Sequence, residues 1–121
     1  MSTVAALLSL ALFIVFAGSA IQKFVFSSIT ASAAEHLGFS KTQYVRIGAI
    51  ELAGALGLIS GLSATTGLWA ILNEVAAGGL TLTMLGAFVF HRRAGDKFKG
   101  YAGALIIGLA CATELVIRLS A

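Results

Sequence analysis

MSTVAALLSLALFIVFAGSAIQ, residues 1–22, carries no charged side chain and ends at Lys23. A helix needs about 20 predominantly apolar residues, rising about 1.5 Å each, to cross the hydrocarbon core of a bilayer. The stretch meets that length, so it reads as a membrane span. Ala17-Gly18-Ser19-Ala20 resembles the cleavage site of a secretory leader, but no Lys or Arg precedes the apolar run. It is therefore expected to stay in the protein as a span.

Working outward, three more runs have the same character. Ile47 to about Leu62 follows the Tyr44-Val45-Arg46 border and is interrupted only by Glu51. Leu68 to Phe90 is interrupted by Asn73-Glu74, and Tyr101 to Leu119 carries Glu114 and Arg118 near its end. The expected fold is all-α, a four-transmembrane-helix antiparallel bundle with a short amphipathic helix between spans one and two. Spans at about 3–22, 45–62, 68–90 and 101–119 fill a single integral membrane domain over residues 1–121.

Composition agrees. Of 121 residues, 59% are hydrophobic and 11% charged, and the mean hydropathy is +1.00. Soluble domains run roughly 45–50% apolar and about 25% charged. The net charge of +3 does not point to nucleic acid, because the basic residues sit in loops beside apolar runs and form no stripe interleaved with aromatics. One cysteine, Cys111, excludes an internal disulfide and a CxxC pair, and the absence of proline leaves glycine as the helix breaker.

Loop chemistry marks the boundaries. Ser32-Ala33-Ala34-Glu35 fits a capping box, with Gly38 closing the short helix that starts there, and Ser40-Lys41-Thr42-Gln43 fits another that opens span two. Residues 63–67, SATTG, form a short uncharged turn, and HRRAGDKFK, residues 91–99, a charged hairpin. Seven of the eight Lys and Arg residues fall on one side: Lys23, Lys41 and Arg46 around the first loop, and Arg92, Arg93, Lys97 and Lys99 around the third. Only Arg118 lies opposite. The positive-inside rule places both charged loops in the cytoplasm and both termini outside, in a membrane expected to be the bacterial plasma (inner) membrane.

Small residues supply close contact where lipid offers no hydrophobic drive. Gly57-xxx-Gly61 and Ala104-xxx-Gly108-xxx-Ala112 have that spacing, and Gly54, Gly78, Gly79 and Gly86 add to it. Seams within the bundle, a homo-oligomer interface and space for a flat ligand all remain open.

An ionisable residue inside a span costs roughly 2.5–3.5 kcal/mol on insertion scales, which makes each one a functional candidate. Glu51 lies about 7.5 Å along its helix from Arg46. Lys23 and His91 end spans one and three at the same border, so Lys23, Glu51 and His91 form a possible cluster with Arg46 and Asp96 nearby. It reads either as a structural Lys23–Glu51 ion pair, or as a ligand pocket for an anionic or carbonyl head group, or as a proton relay through His91. In the outer half, Asn73, Glu74, Glu114 and Arg118 form a secondary polar site. Arg118 is four residues after Glu114, as in an exposed helix-end pair. Glu74 and Glu114, if they face each other, would hold a proton between them. No Walker loop, GxGxxG, HExxH or Cys/His zinc spacing occurs, so no metal site is expected.

The stretch LGFSKTQYVRIGAIELAGALGLISGL, residues 37–62, resembles the signature of DoxX-like membrane proteins, with its LG, a spacer, and a helix of pattern G..EL.GA.GL..G. Phe16-Ala17-Gly18 followed by Lys23, and Gly86-Ala87 followed by His91 and Gly95-Asp96, extend the resemblance over most of the chain. It implies a four-helix membrane protein; some members resemble a subunit of a thiosulfate:quinone oxidoreductase, and others are tied to membrane redox complexes and oxidative stress. Lys23, Glu51, His91 and Asp96 are the polar positions that match, while Glu74 and Glu114 lie outside the pattern. A single cysteine leaves chemistry that needs a thiol pair without its second thiol.

Three functions fit. The first is a subunit that binds a quinone or another lipophilic small molecule in a membrane redox system through Lys23, Glu51 and His91. The second is a non-enzymatic scaffold or assembly subunit of a membrane complex, and the third a small proton-coupled transporter. Span one has no acidic residue, unlike the small multidrug transporters of similar size. Lipid is an expected partner in each case, with a homo-oligomer or a redox complex as the assembly, and the sequence leaves open whether the protein is an enzyme.

Overall fold

The computed structural model describes residues 3–62 and 66–120. Among them are five helices and no strand: α1 (Thr3–Val25), α2 (Ser28–Leu37), α3 (Lys41–Ser60), α4 (Gly67–Arg93) and α5 (Phe98–Ser120). Residues 63–65 of the expected uncharged turn lie outside the described residues; Thr66 caps α4 and Gly67 begins it.

Caps explain most of the boundaries. Ser40 and Gln43 form the expected reciprocal box at the start of α3, with Gln43 N–H donating to Ser40 Oγ at 3.1 Å and Ser40 N–H donating to Gln43 Oε1 at 3.0 Å. Gly38 ends α2 in the left-handed conformation, φ 85°, where its N–H reaches the Glu35 carbonyl at 3.1 Å. The expected start of α2 at Ser32 is corrected: Ser27 is the cap, Thr30 N–H donates to its Oγ, and Ser32 lies inside the helix. α4 runs past Phe90 through His91-Arg92-Arg93, and α5 begins at Phe98, so only a short segment of the charged hairpin is non-helical. Cationic side chains in the last turn of α4 suit the negative end of its dipole.

α1 packs on α3, α3 on α4 and α4 on α5, and α5 closes on α1 through the sparsest seam of the ring. Directions follow from shared neighbours. Lys23 of α1 meets Glu51 of α3, while Ser9 of α1 and Gly61 at the end of α3 both bond Arg118 of α5. The four long helices therefore alternate in direction. A middle layer of Leu12, Phe16, Ala55, Leu58, Ala77, Leu80 and Cys111 separates a polar Lys23 end from a polar Arg118 end.

The Gly57-xxx-Gly61 seam lies inside the ring. A Cβ on Gly57 would sit 2.7 Å from Ala76 Cβ, and one on Gly61 would meet the Trp69 carbonyl and, at 2.5 Å, Asn73 Cβ. These contacts draw α3 onto α4. Gly48 does the same for α1, where a Cβ would stand 2.9 Å from Lys23 Cβ.

The surface inverts that of a water-soluble protein. Leu7, Ile14, Ile21, Val75, Leu82, Ile106, Leu109 and Val116 face outward, whereas Ser9, Glu51, Asn73, Glu114 and Arg118 are buried. Such a shell is stable against acyl chains and not against water. α1, α4 and α5 are long and apolar enough to cross a membrane. α3, with Lys41, Arg46 and Glu51 among its 20 residues, is not in that set.

Candidate functional site

The Lys23 end holds the sharper site. Gly48 lets α1 approach α3 closely, which brings the Lys23 ammonium 2.7 Å from Glu51 Oε1. Lys23 Nζ also donates to Ser19 Oγ at 2.7 Å and lies 4.9 Å from the centre of the Tyr44 ring. Glu51 is buried, and its charge is matched by an ammonium with two further partners. That arrangement offsets part of the desolvation cost of both ions.

Beside this pair is a cavity of about 430 Å³. Val15, Phe16, Ile47, Met84, Phe90 and Ile107 are among its apolar walls, and Lys23, Glu51 and His91 stand in its lining. Apart from its own turn of α4, nothing lies within 4 Å of where a Cβ on Gly86 would be, so this part of the wall is open. Leu37 and Phe39, at the end of α2 and just after it, also line the space, and Phe39 stacks on Phe90 with centroids 4.5 Å apart. Exposed Val15 of α1 and exposed Gly103 of α5 line it too, which places an opening at the sparse α1/α5 seam.

His91 is fixed by Asp96. Its Nδ1 lies 2.6 Å from Asp96 Oδ2, and His36 Nε2 lies 2.6 Å from Asp96 Oδ1. Hydrogen bonds from the two imidazoles hold the Asp96 carboxyl below its ordinary value of 3.8. Asp96 thus stays an acceptor, each ring donates an N–H to it, and the Nε2 of His91 is the nitrogen left for a cavity ligand. The lining therefore offers an ammonium, an imidazole nitrogen and a carboxylate to one polar head group, and apolar walls to its body.

The Arg118 end is a buried polar network. Ser9 Oγ donates to Glu114 Oε1 at 2.6 Å and accepts from Arg118 Nη2 at 3.0 Å and Asn73 Nδ2 at 3.3 Å. Arg118 Nε pairs with Glu114 Oε1, while Nη1 donates to the Gly61 carbonyl at 3.0 Å and Nη2 to that of Leu62 at 3.3 Å. Asn73 Nδ2 donates to the Leu58 carbonyl at 2.7 Å. An arginine so placed satisfies carbonyls at the end of α3 that have no helical partner.

The structure gathers Lys23, Glu51 and His91 around one cavity, with Asp96 behind His91. Arg46, expected near them, is exposed. Glu114 and Arg118 do pair four residues apart, but in the interior and not at an exposed helix end. Glu74 is half-buried and makes no hydrogen bond or ion pair among the described residues. Asn73, one position earlier, turns inward and takes the place beside Glu114's partners. Ser9, Ser19, Tyr44 and His36 joined these sites without a signal in the sequence, apart from being polar or aromatic groups at the edges of apolar runs. Among the described residues no group of His, Cys, Asp and Glu is placed to hold a metal ion.

The profile of the DoxX-like family matches residues 7–113, most of the chain. The protein belongs to the DoxX-like family. Neither a curated protein nor a solved structure matches it. The match takes in every long helix of this DoxX-like protein and reaches from α1 to the middle of α5, so the cavity and Glu51 lie wholly within it.

Proposed function

We propose that this DoxX-like protein crosses the bilayer four times as a single domain. In this reading it holds a lipophilic small molecule with a carbonyl head group, a quinone by class, in the cavity at its Lys23 end as part of a membrane redox system. The observation that carries the reading is the cavity: about 430 Å³, apolar on its walls, with Lys23, Glu51 and His91 together in its lining. Small-molecule sites run roughly 300–1,000 Å³ and share that plan of apolar walls and a few convergent polar groups. The opening beside Val15 and Gly103 gives a long apolar tail a path to the acyl chains.

The donor set fits such a head group. Lys23 donates to one carbonyl oxygen, and Glu51 holds Lys23 in place. His91, with its Nδ1–H on Asp96, exchanges a proton through Nε2. A bound quinone supplies the two-electron, two-proton chemistry.

The fourth span is α3. Its position between α1 and α4, from the Lys23 end to the Arg118 end, supports a crossing alongside them. Its ion pair with Lys23 and its glycines against α4 lower the cost of its polar composition. Seven of eight Lys and Arg residues sit at the Lys23 end or in its loops, which supports an orientation with that end toward the cytoplasm, in this reading that of a bacterial plasma membrane.

Native mass spectrometry of the protein in mild detergent tests the reading. An isoprenoid-sized mass retained by the wild type and lost in Gly86→Leu supports it. A bare chain, as monomer, homo-oligomer or part of a larger complex, sinks it and leaves a scaffold whose Lys23–Glu51 pair is structural.

A further inference from the structure

On the outer side of α4, away from the cavity, Phe88, Val89, Arg92 and Arg93 line a second, shallow hollow of about 500 Å³. The spacing makes two parallel strips along the helix, Phe88 to Arg92 and Val89 to Arg93, each apolar one turn in and cationic in the last turn. Both arginines are exposed, and neither has an acidic partner among the described residues. The acids of this end are otherwise placed: Glu51 pairs with Lys23, Asp96 with the two histidines, and Glu35 forms no ion pair.

The level of the hollow in a bilayer follows from α4. Its 27 residues measure about 40 Å against a hydrocarbon core of about 30 Å, so its last turn stands among head groups. Aromatic rings mark the same level. Phe88 meets Tyr101 edge-on at 5.1 Å, Tyr101 meets Phe98 at 5.8 Å, and the Arg92 guanidinium lies 5.7 Å from the Tyr101 ring. Of these, Tyr101 is the amphipathic ring of the kind that gathers at that boundary in membrane proteins. Arg93 is held likewise, 5.5 Å from the Phe90 ring. Guanidinium groups resting on rings keep their N–H edges for a planar or tetrahedral oxyanion.

We propose that Arg92 and Arg93 form a binding site for the phosphodiester of an anionic glycerophospholipid, with an acyl chain lying along Phe88 and Val89. Two cations without acids ask for an anion. The change from apolar to cationic along one helix face runs in the same sense as a phospholipid from chain to phosphate. The site rests on α4 crossing a bilayer and is independent of what the Lys23-end cavity holds.

The test is lipid retention by the purified full chain, read by native mass spectrometry after exchange into detergent containing equal phosphatidylglycerol and phosphatidylcholine. The wild type keeps phosphatidylglycerol in preference. Arg92→Gln/Arg93→Gln loses that preference by at least about thirtyfold, because roughly fivefold for each charge near an anionic surface is the floor to which the two bidentate guanidinium contacts add. Lys97→Gln/Lys99→Gln, which removes two charges from the same loop region, keeps it. Inorganic phosphate at millimolar concentration does not displace the lipid. Equal retention of both lipids, equal loss in the two double variants, or displacement by free phosphate each overturns the site. Should the glutamine variant fail to fold, Arg92→Lys/Arg93→Lys keeps the charge and removes the bidentate fork. Wild-type selectivity in that variant then overturns the site in favour of bulk charge.

Discussion

Ser9 on α1 and Glu114 on α5, 105 residues apart, share a 2.6 Å hydrogen bond in an interior that neither side chain leaves. The bond closes the ring of helices at its sparsest seam. Ser9 uses its single proton on Glu114 and its lone pairs on Arg118 and Asn73, so one small hydroxyl ties α1 to α4 and α5. The Arg118 end is thus locked by polar bonds, and at the Lys23 end the same two helices flank the opening to the cavity.

Removing one ion from that lock leaves the other buried and unmatched. Arg118→Met is expected to cost about 3–5 kcal/mol, the range for breaking a buried pair, because Glu114 loses its counter-charge and the carbonyls of Gly61 and Leu62 lose a donor. Glu114→Gln/Arg118→Met recovers part of the loss. Thermal unfolding in detergent reads both. A double variant no better than Arg118→Met shows that capping of α3 is the larger contribution.

The Lys23–Glu51 pair separates structure from binding. Lys23→Met strands the Glu51 charge, whereas Glu51→Gln leaves Lys23 with Ser19 Oγ and the Tyr44 ring. Glu51→Gln is therefore expected to fold in near wild-type yield and to lose the retained ligand. Equal loss of folded protein in both single variants, with rescue in the double, shows instead that the pair only holds α1 to α3.

Glycines of similar appearance in the sequence have opposite roles. Gly61→Ala forces a methyl against the Trp69 carbonyl and Asn73 Cβ, and neither backbone nor Cβ can swing away. Its expected cost is about 1–3 kcal/mol, the usual range for overpacking. Gly79→Ala meets nothing within 4 Å and removes a poor helix former, so it is neutral or stabilising by up to about 1 kcal/mol. Melting temperatures in one detergent decide it, and equal shifts in the two variants contradict the α3–α4 seam.

Much of this was legible in the sequence, for physical reasons. Charge is so costly in lipid that Glu51, Lys23 and His91 stood out by rarity, and helix rise placed them at one border. Ser40-Lys41-Thr42-Gln43 and Gly38 carry their capping chemistry locally. Ser9 was illegible because a lone hydroxyl in an apolar run has no period, and only the tertiary fold brings it to Arg118. Asn73 and Glu74 stood out together, but one residue is about 100° of helix rotation, and packing alone decides which turns inward. His36 lay on a short helix whose docking no local pattern gives.

That docking is titratable. Asp96 joins α2, through His36, to His91 at the end of α4, and its carboxyl is held below 3.8 by those two bonds. A carboxyl whose value is depressed on folding stabilises the folded arrangement above its unfolded value, and loses that contribution as pH falls through the depressed one. Amide protection of α2, corrected for intrinsic exchange, is therefore expected to hold from neutral pH down to 3.8 and to fall only below it. Asp96→Asn shows low protection throughout and no acid step. A wild type whose α2 loosens well above 3.8, or an Asp96→Asn protein with the same acid step, would show that another group fastens α2 over the cavity.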